Sequence, residues 1–145
     1  MKKILFGLSL FALLLFLKPA WSAETGAMKS VKAGNWDIMI HLNSIPMEHR
    51  EMAKATHHVS FTATDEKGVQ ITDAKVKFEF IREGKIVTSG EAKYMGAMAM
   101  GGHAMQGGHY GADITLPGGG VYSVNVTVTA KVTTRKVNTQ INAPE

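Results

Sequence analysis

Residues 36–42 (WDIMIHL) put Trp36, Ile38, Ile40 and Leu42 on one side of an extended chain and Asp37, Met39 and His41 on the other. A period of two predicts a strand with one buried face. The pattern returns at 57–64 (HHVSFTAT), with Val59, Phe61 and Ala63 inward, and at 75–81 (KVKFEFI), with Val76, Phe78 and Phe80 inward. It is cleanest at 121–130 (VYSVNVTVTA), where Tyr122, Val124, Val126 and Val128 oppose Ser123, Asn125, Thr127 and Thr129. Residues 86–94 and 110–116 (YGADITL) predict two further strands. A polar final strand over 131–142 carries Val132, Val137 and Ile141, and its broken alternation at 133–136 predicts a bulge or an edge.

Between these runs the chemistry changes to that of turns. Residues 65–68 (DEKG), 82–85 (REGK) and 117–120 (PGGG) predict turns, the second closing a hairpin. Residues 43–56 (NSIPMEHREMAKAT) read as a short helix or helical loop, with Ser44 as a candidate cap and Pro46 in the first turn. Residues 23–35 read as a loose leader. About seven short strands separated by turns predict an all-β, immunoglobulin-like antiparallel sandwich over 36–145.

One stretch fits no element. Residues 94–110, YMGAMAMGGHAMQGGHY, hold Met95, Met98, Met100, Met105, His103 and His109, separated only by Gly, Ala and Gln. The glycines remove the side chains a packed element requires. Thioether and imidazole are the neutral donors that suit copper(I), and His103-x-Met105 and Met98-x-Met100 let neighbours converge on one ion. The bland alternative is a low-complexity loop with incidental methionines. Against it, eight of the nine methionines lie beyond residue 22, and four of those fall within eleven residues.

The start of the chain changes the setting. Met1-Lys2-Lys3 precedes an apolar run over 4–17, and Ala20, Ser22 and Ala23 supply small residues. This is the plan of a secretory signal peptide over 1–22, with cleavage expected after Ser22 or Ala23. The run falls short of the ~20 residues of a membrane span, although an uncleaved segment would anchor the chain. The expected location is periplasmic or otherwise exported. Losing Lys2, Lys3 and Lys18 leaves thirteen of the sixteen basic residues against twelve acidic ones, about +1 net. No basic patch survives to support nucleic-acid binding. Cysteine is absent, so neither disulfides nor thiolate ligands are available to an exported domain.

From about residue 57 to residue 130 the chain resembles the YtkA-like family of exported immunoglobulin-like domains. HHVSFTATDEKGVQITDAKVKFEF matches its His-led strand and following hairpin, and LPGGGVYSVNVTV matches its later Pro-Gly-x-Tyr strand. The resemblance implies a non-catalytic sandwich linked with metal handling, copper above all. The chain is also similar to CopC-type periplasmic copper carriers. It departs from them at Ala23-Glu24-Thr25, which carries no His for an amino-terminal copper(II) site.

A second group of soft donors comprises Met39, His41, Met47, His49, Met52, His57 and His58. His49 and Met52, three apart, share a helical face; alternatively, Met47 and Met52 pack as fillers beneath a loop. His57 and His58 are the best metal candidates of this group, but adjacent strand residues point to opposite faces, so one ion would not take both. Trp36 reads as core, with a cation–π cover as the alternative. Tyr122 reads as a tyrosine corner, and Tyr94 and Tyr110 as pins at the ends of the loop. No hydrolase, metalloprotease or phosphate-binding motif is present, so no enzyme is expected.

The expected function is a copper(I) carrier or buffer with Met95, Met98, Met100, His103, Met105 and His109 as ligands, supplemented by His57 or His58. It would exchange the ion with a membrane transporter or a cuproprotein. The alternative is a non-catalytic protein-interaction sandwich, or an accessory subunit of a membrane metal-transport or oxidase-assembly system, whose methionines serve as adaptable contacts.

Overall fold

A computed structural model describes residues 26–96 and 108–145. Eight strands and one short helix follow one another as β1 (Gly26–Ala33), β2 (Trp36–Ser44), α1 (Met47–Ala53), β3 (His57–Thr64), β4 (Ala74–Arg82), β5 (Lys85–Met95), β6 (His109–Ile114), β7 (Gly120–Ala130) and β8 (Thr133–Ala143). Every pairing is antiparallel, in the order β1-β2-β3-β6-β5-β4-β7-β8. The fold is all-β and immunoglobulin-like, as the alternation predicts.

β5 joins the two layers. Its first part, from Lys85 to Ala92, pairs with β4, and its end, from Lys93 to Met95, pairs with β6. One layer is therefore β1-β2-β3-β6 with the tip of β5, and the other is β5-β4-β7-β8. Ile38, Ile40, Leu42, Val59 and Phe61 from the first meet Val76, Phe78, Phe80, Tyr122, Val124 and Val126 from the second, all 3% exposed or less. Phe61 and Phe78 stack across the layers with centroids 5.5 Å apart. Burying one such side chain contributes about 1.5–3 kcal/mol. A one-residue slip in register would turn a whole row into solvent.

Two expectations change and a third narrows. Residues 26–33, expected within a loose leader, form β1, whose Ala27, Val31 and Ala33 pack inward opposite Leu42, Ile38 and Trp36. Of the bulge or edge expected at 133–136 the edge is found, since β8 runs in unbroken register with β7 as a terminal strand of the order, and the register shift lies instead in β4 at Phe80/Ile81. Val132 is no strand residue. It caps the β7–β8 turn beside Lys131 (φ 53°) and is 99% exposed.

The turns and aromatic pins follow the sequence more closely. Glu83 (φ 52°) and Gly84 (φ 74°) occupy the positive-φ positions of the β4–β5 hairpin. Trp36 is core, with the Arg135 guanidinium 5.5 Å above its ring. Tyr94 and Tyr110 face each other in register with centroids 5.2 Å apart. The Tyr110 hydroxyl donates to the Ile71 carbonyl (2.9 Å) and accepts from the Ala74 amide (2.8 Å). Burial pushes its pKa above the usual tyrosine value.

Tyr122 forms the corner its position predicts: its hydroxyl donates to the Gly118 carbonyl at 2.7 Å and accepts from Arg82 at 3.1 Å. Tyr122→Phe leaves that carbonyl short of a partner beside a fully buried ring. It should cost about 1–3 kcal/mol in denaturant unfolding. A loss under about 0.5 kcal/mol, the range of an ordinary surface change, would contradict this role.

Candidate metal centre on the outer sheet face

Because Ile38, Ile40 and Leu42 must face inward, Met39 and His41 face out. The same pleat turns His58, Ser60 and Thr62 outward on β3, and His109, Gly111 and Asp113 on β6. At the tip of β5, Met95 is directly opposite His109. The registers align His41 with Ser60, Ser60 with Gly111, and Gly111 with Lys93. The result is a trough floored by Ser60 and Gly111 and rimmed by three imidazoles and a thioether.

His58 is its centre. Its Nδ1 lies 2.7 Å from Asp113 Oδ1. A carboxylate only accepts, so Nδ1 carries the proton of this bond, which in the neutral ring leaves the Nε2 lone pair for a ligand. Nε2 stands 3.1 Å from the point a β-carbon on Gly111 would occupy, and the Met95 methyl stands 3.1 Å from the same point. Any side chain at 111 would press on both. The His109 ring meets His58 edge-on, with centroids 6.1 Å apart and planes at 87°. At the other end of the trough, His41 is opposite Met28 of β1, which is 63% exposed.

Electrostatics tie the three rings together. The pKa values of His41 and His109 are both lowered from 6.5, first by burial and then by repulsion from His58. Both are therefore neutral at pH 7, with ring lone pairs free. Among the described residues, no three of the His, Asp or Glu side chains stand close enough to hold an ion between them. The trough also carries the Met95 thioether, opposite His109.

The sequence-derived ligands divide three ways. Met95 and His58 meet over Gly111, with the His109 ring edge-on to His58. His57 points the other way. It is 2% exposed, with Nδ1 2.8 Å from Thr56 Oγ1 and Nε2 2.9 Å from the Pro144 carbonyl, so both ring nitrogens are engaged, Nε2 tying β3 to the segment after β8. Met98, Met100, His103 and Met105 lie outside the described residues. They belong to the connection between Met95 and His109, two members of the trough. Sequence reasoning placed His41 in a separate cluster and missed Met28, Gly111 and Asp113. The signal for the last two was the period-two spacing His109-x-Gly111-x-Asp113.

No family model and no curated protein matches the chain, so no family model carries the YtkA-like resemblance. Solved structures do match. FetP of uropathogenic Escherichia coli strain F11, expressed recombinantly in the periplasm, superposes with a TM-score of 0.61 at 18% identity, over 83% of this chain and 96% of FetP. A copper-bound Glu-to-Gln variant of FetP gives 0.57 at 18% identity, over 82% and 96%. At this identity the likeness is one of fold.

The depressed histidines yield a signed pH dependence. Between their folded pKa values and 6.5 the unfolded chain binds more protons than the native one. Stability therefore rises with pH through the window just below 6.5 and is lost as pH falls. In an NMR titration His41 and His109 should have midpoints below 6.5, and His58→Ala should raise both. Midpoints indifferent to that substitution would contradict the proximity of the rings.

Proposed function

We propose that this is an exported, non-catalytic copper-binding protein that carries or buffers copper(I) at the trough formed by His41, His58, His109 and Met95. The observation that carries the reading is the convergence of His58 Nε2 and the Met95 methyl over the bare Gly111 backbone, with His109 beside them. Neutral imidazoles and a thioether match the donor preference of copper(I), and imidazoles also accept copper(II). Asp113 anchors the far side of His58, the arrangement that orients ligand histidines in metal sites generally. The fold shared with FetP, one of whose structures is copper-bound, supports the same reading.

Met98, Met100, His103 and Met105 are exchange donors in this proposal. Tethered between Met95 and His109, they replace trough ligands one at a time as the ion passes to a transporter or cuproprotein. The basic, apolar and small-residue order of residues 1–22 supports export. Among the described residues, no helix is long and apolar enough to cross a membrane.

Competition with a chromophoric copper(I) chelator tests the assignment. His58→Ala and Met95→Ala should each weaken binding. Asp113→Asn, which leaves every ligand in place, should weaken it by about 10- to 100-fold. If a variant lacking His41, His58 and His109 retains the affinity of the unaltered chain, the trough is not the site.

A further inference from the structure

Helix α1 is an excursion with no core of its own. Its base is closed where the Ile45 amide donates to the Thr56 carbonyl (2.8 Å) and the Arg50 Nε donates to the Ile45 carbonyl (2.8 Å). The segment between these ties buries none of its helical residues. Yet it carries Met47 at 78% exposure and Met52 at 81%. Packing as fillers beneath the loop is thereby excluded: these methionines touch water. An exposed methionine gives up its hydrophobic stabilisation and is open to oxidation. His49 is exposed on the same short helix, one turn from Met52.

We propose that His49 and Met52 form a second, separate binding site for one soft monovalent metal ion, copper(I) or silver(I). Helical residues three apart have their β-carbons about 5–6 Å from each other on one face. An imidazole nitrogen and a thioether sulfur can therefore close on one ion from opposite sides. Two-donor coordination by neutral N and S ligands suits soft ions, whereas magnesium and calcium require several oxygen donors. Arg50 is held back at the base of the helix on the Ile45 carbonyl, and Glu48 and Glu51 offset Arg50 and the C-cap Lys54, so the turn carries no net charge. Neutral nitrogen and sulfur donors need no net negative charge around them. α1 also connects β2 to β3, the strands that bear His41 and His58. A weak, exposed pair at this place is accessible to a donor protein before the trough is loaded.

Silver(I) titration of the full chain, with methionine methyl and histidine ring signals followed by NMR, tests this site apart from the trough. The Met52 methyl and the His49 ring should shift together. The same shifts should appear in a variant lacking His41, His58 and His109, so loss of the trough reading does not remove them. His49→Ala should abolish the Met52 shift, and Met52→Leu the His49 shift, with trough signals unchanged in both. The proposal is overturned if Met52 responds equally with and without His49, which would mean independent thioether binding. It is also overturned if neither signal moves, which would leave the exposed methionines to a protein contact.

Discussion

The pleat of a strand with one buried face governs this molecule. Ile38, Ile40 and Leu42 are held inward by the core, so β2 has no freedom in where it directs His41. Val59 and Phe61 do the same for His58, and Tyr110 does it for His109 and Gly111. Tyr110 has the firmest hold, since its hydroxyl is bonded to both Ile71 and Ala74 beneath the sheet. A shift of β6 by one residue would expose Tyr110 and bury His109 in the same movement. The site is thus specified by hydrophobic burial on the opposite side of the sheet. No ligand has to be present for its donors to share a face.

What the pleat leaves open is whether donors on four strands come near one another. Small residues decide that. Ser60 and Gly111 occupy the row between His41 and Lys93, and their lack of bulk allows imidazoles from neighbouring rows to lean across it. Gly111 matters more, because a β-carbon there would meet both His58 and Met95. Asp113 then fixes the rotation of the His58 ring and the position of its proton. The crossing of β5 from one layer to the other supplies the last donor, since only its tip reaches β6.

Much of this was legible in the sequence because burial has a period. The strands of the core, the β4–β5 hairpin, the tyrosine corner and the opposed faces of His57 and His58 all follow from alternation and turn chemistry. β1 escaped because Lys29 stands among its inward positions and breaks the pattern that Ala27, Val31 and Ala33 would otherwise show. Met28 escaped with it. Which strand neighbours which was not legible: β3 pairs with β6 across 44 intervening residues, and nothing local encodes the meeting of His58 with Asp113. His41 accordingly read as part of an upstream cluster, although it shares the sheet face with His109.

In the proposed site the His58 imidazole and the Met95 thioether hold the ion, with the His109 ring beside them. X-ray absorption of the copper(I)-loaded protein tests it most directly. An imidazole shell with ring scattering and a longer copper–sulfur path is expected, the imidazole contribution falling in His58→Ala. A shell of sulfur alone, unchanged by that substitution, would contradict it.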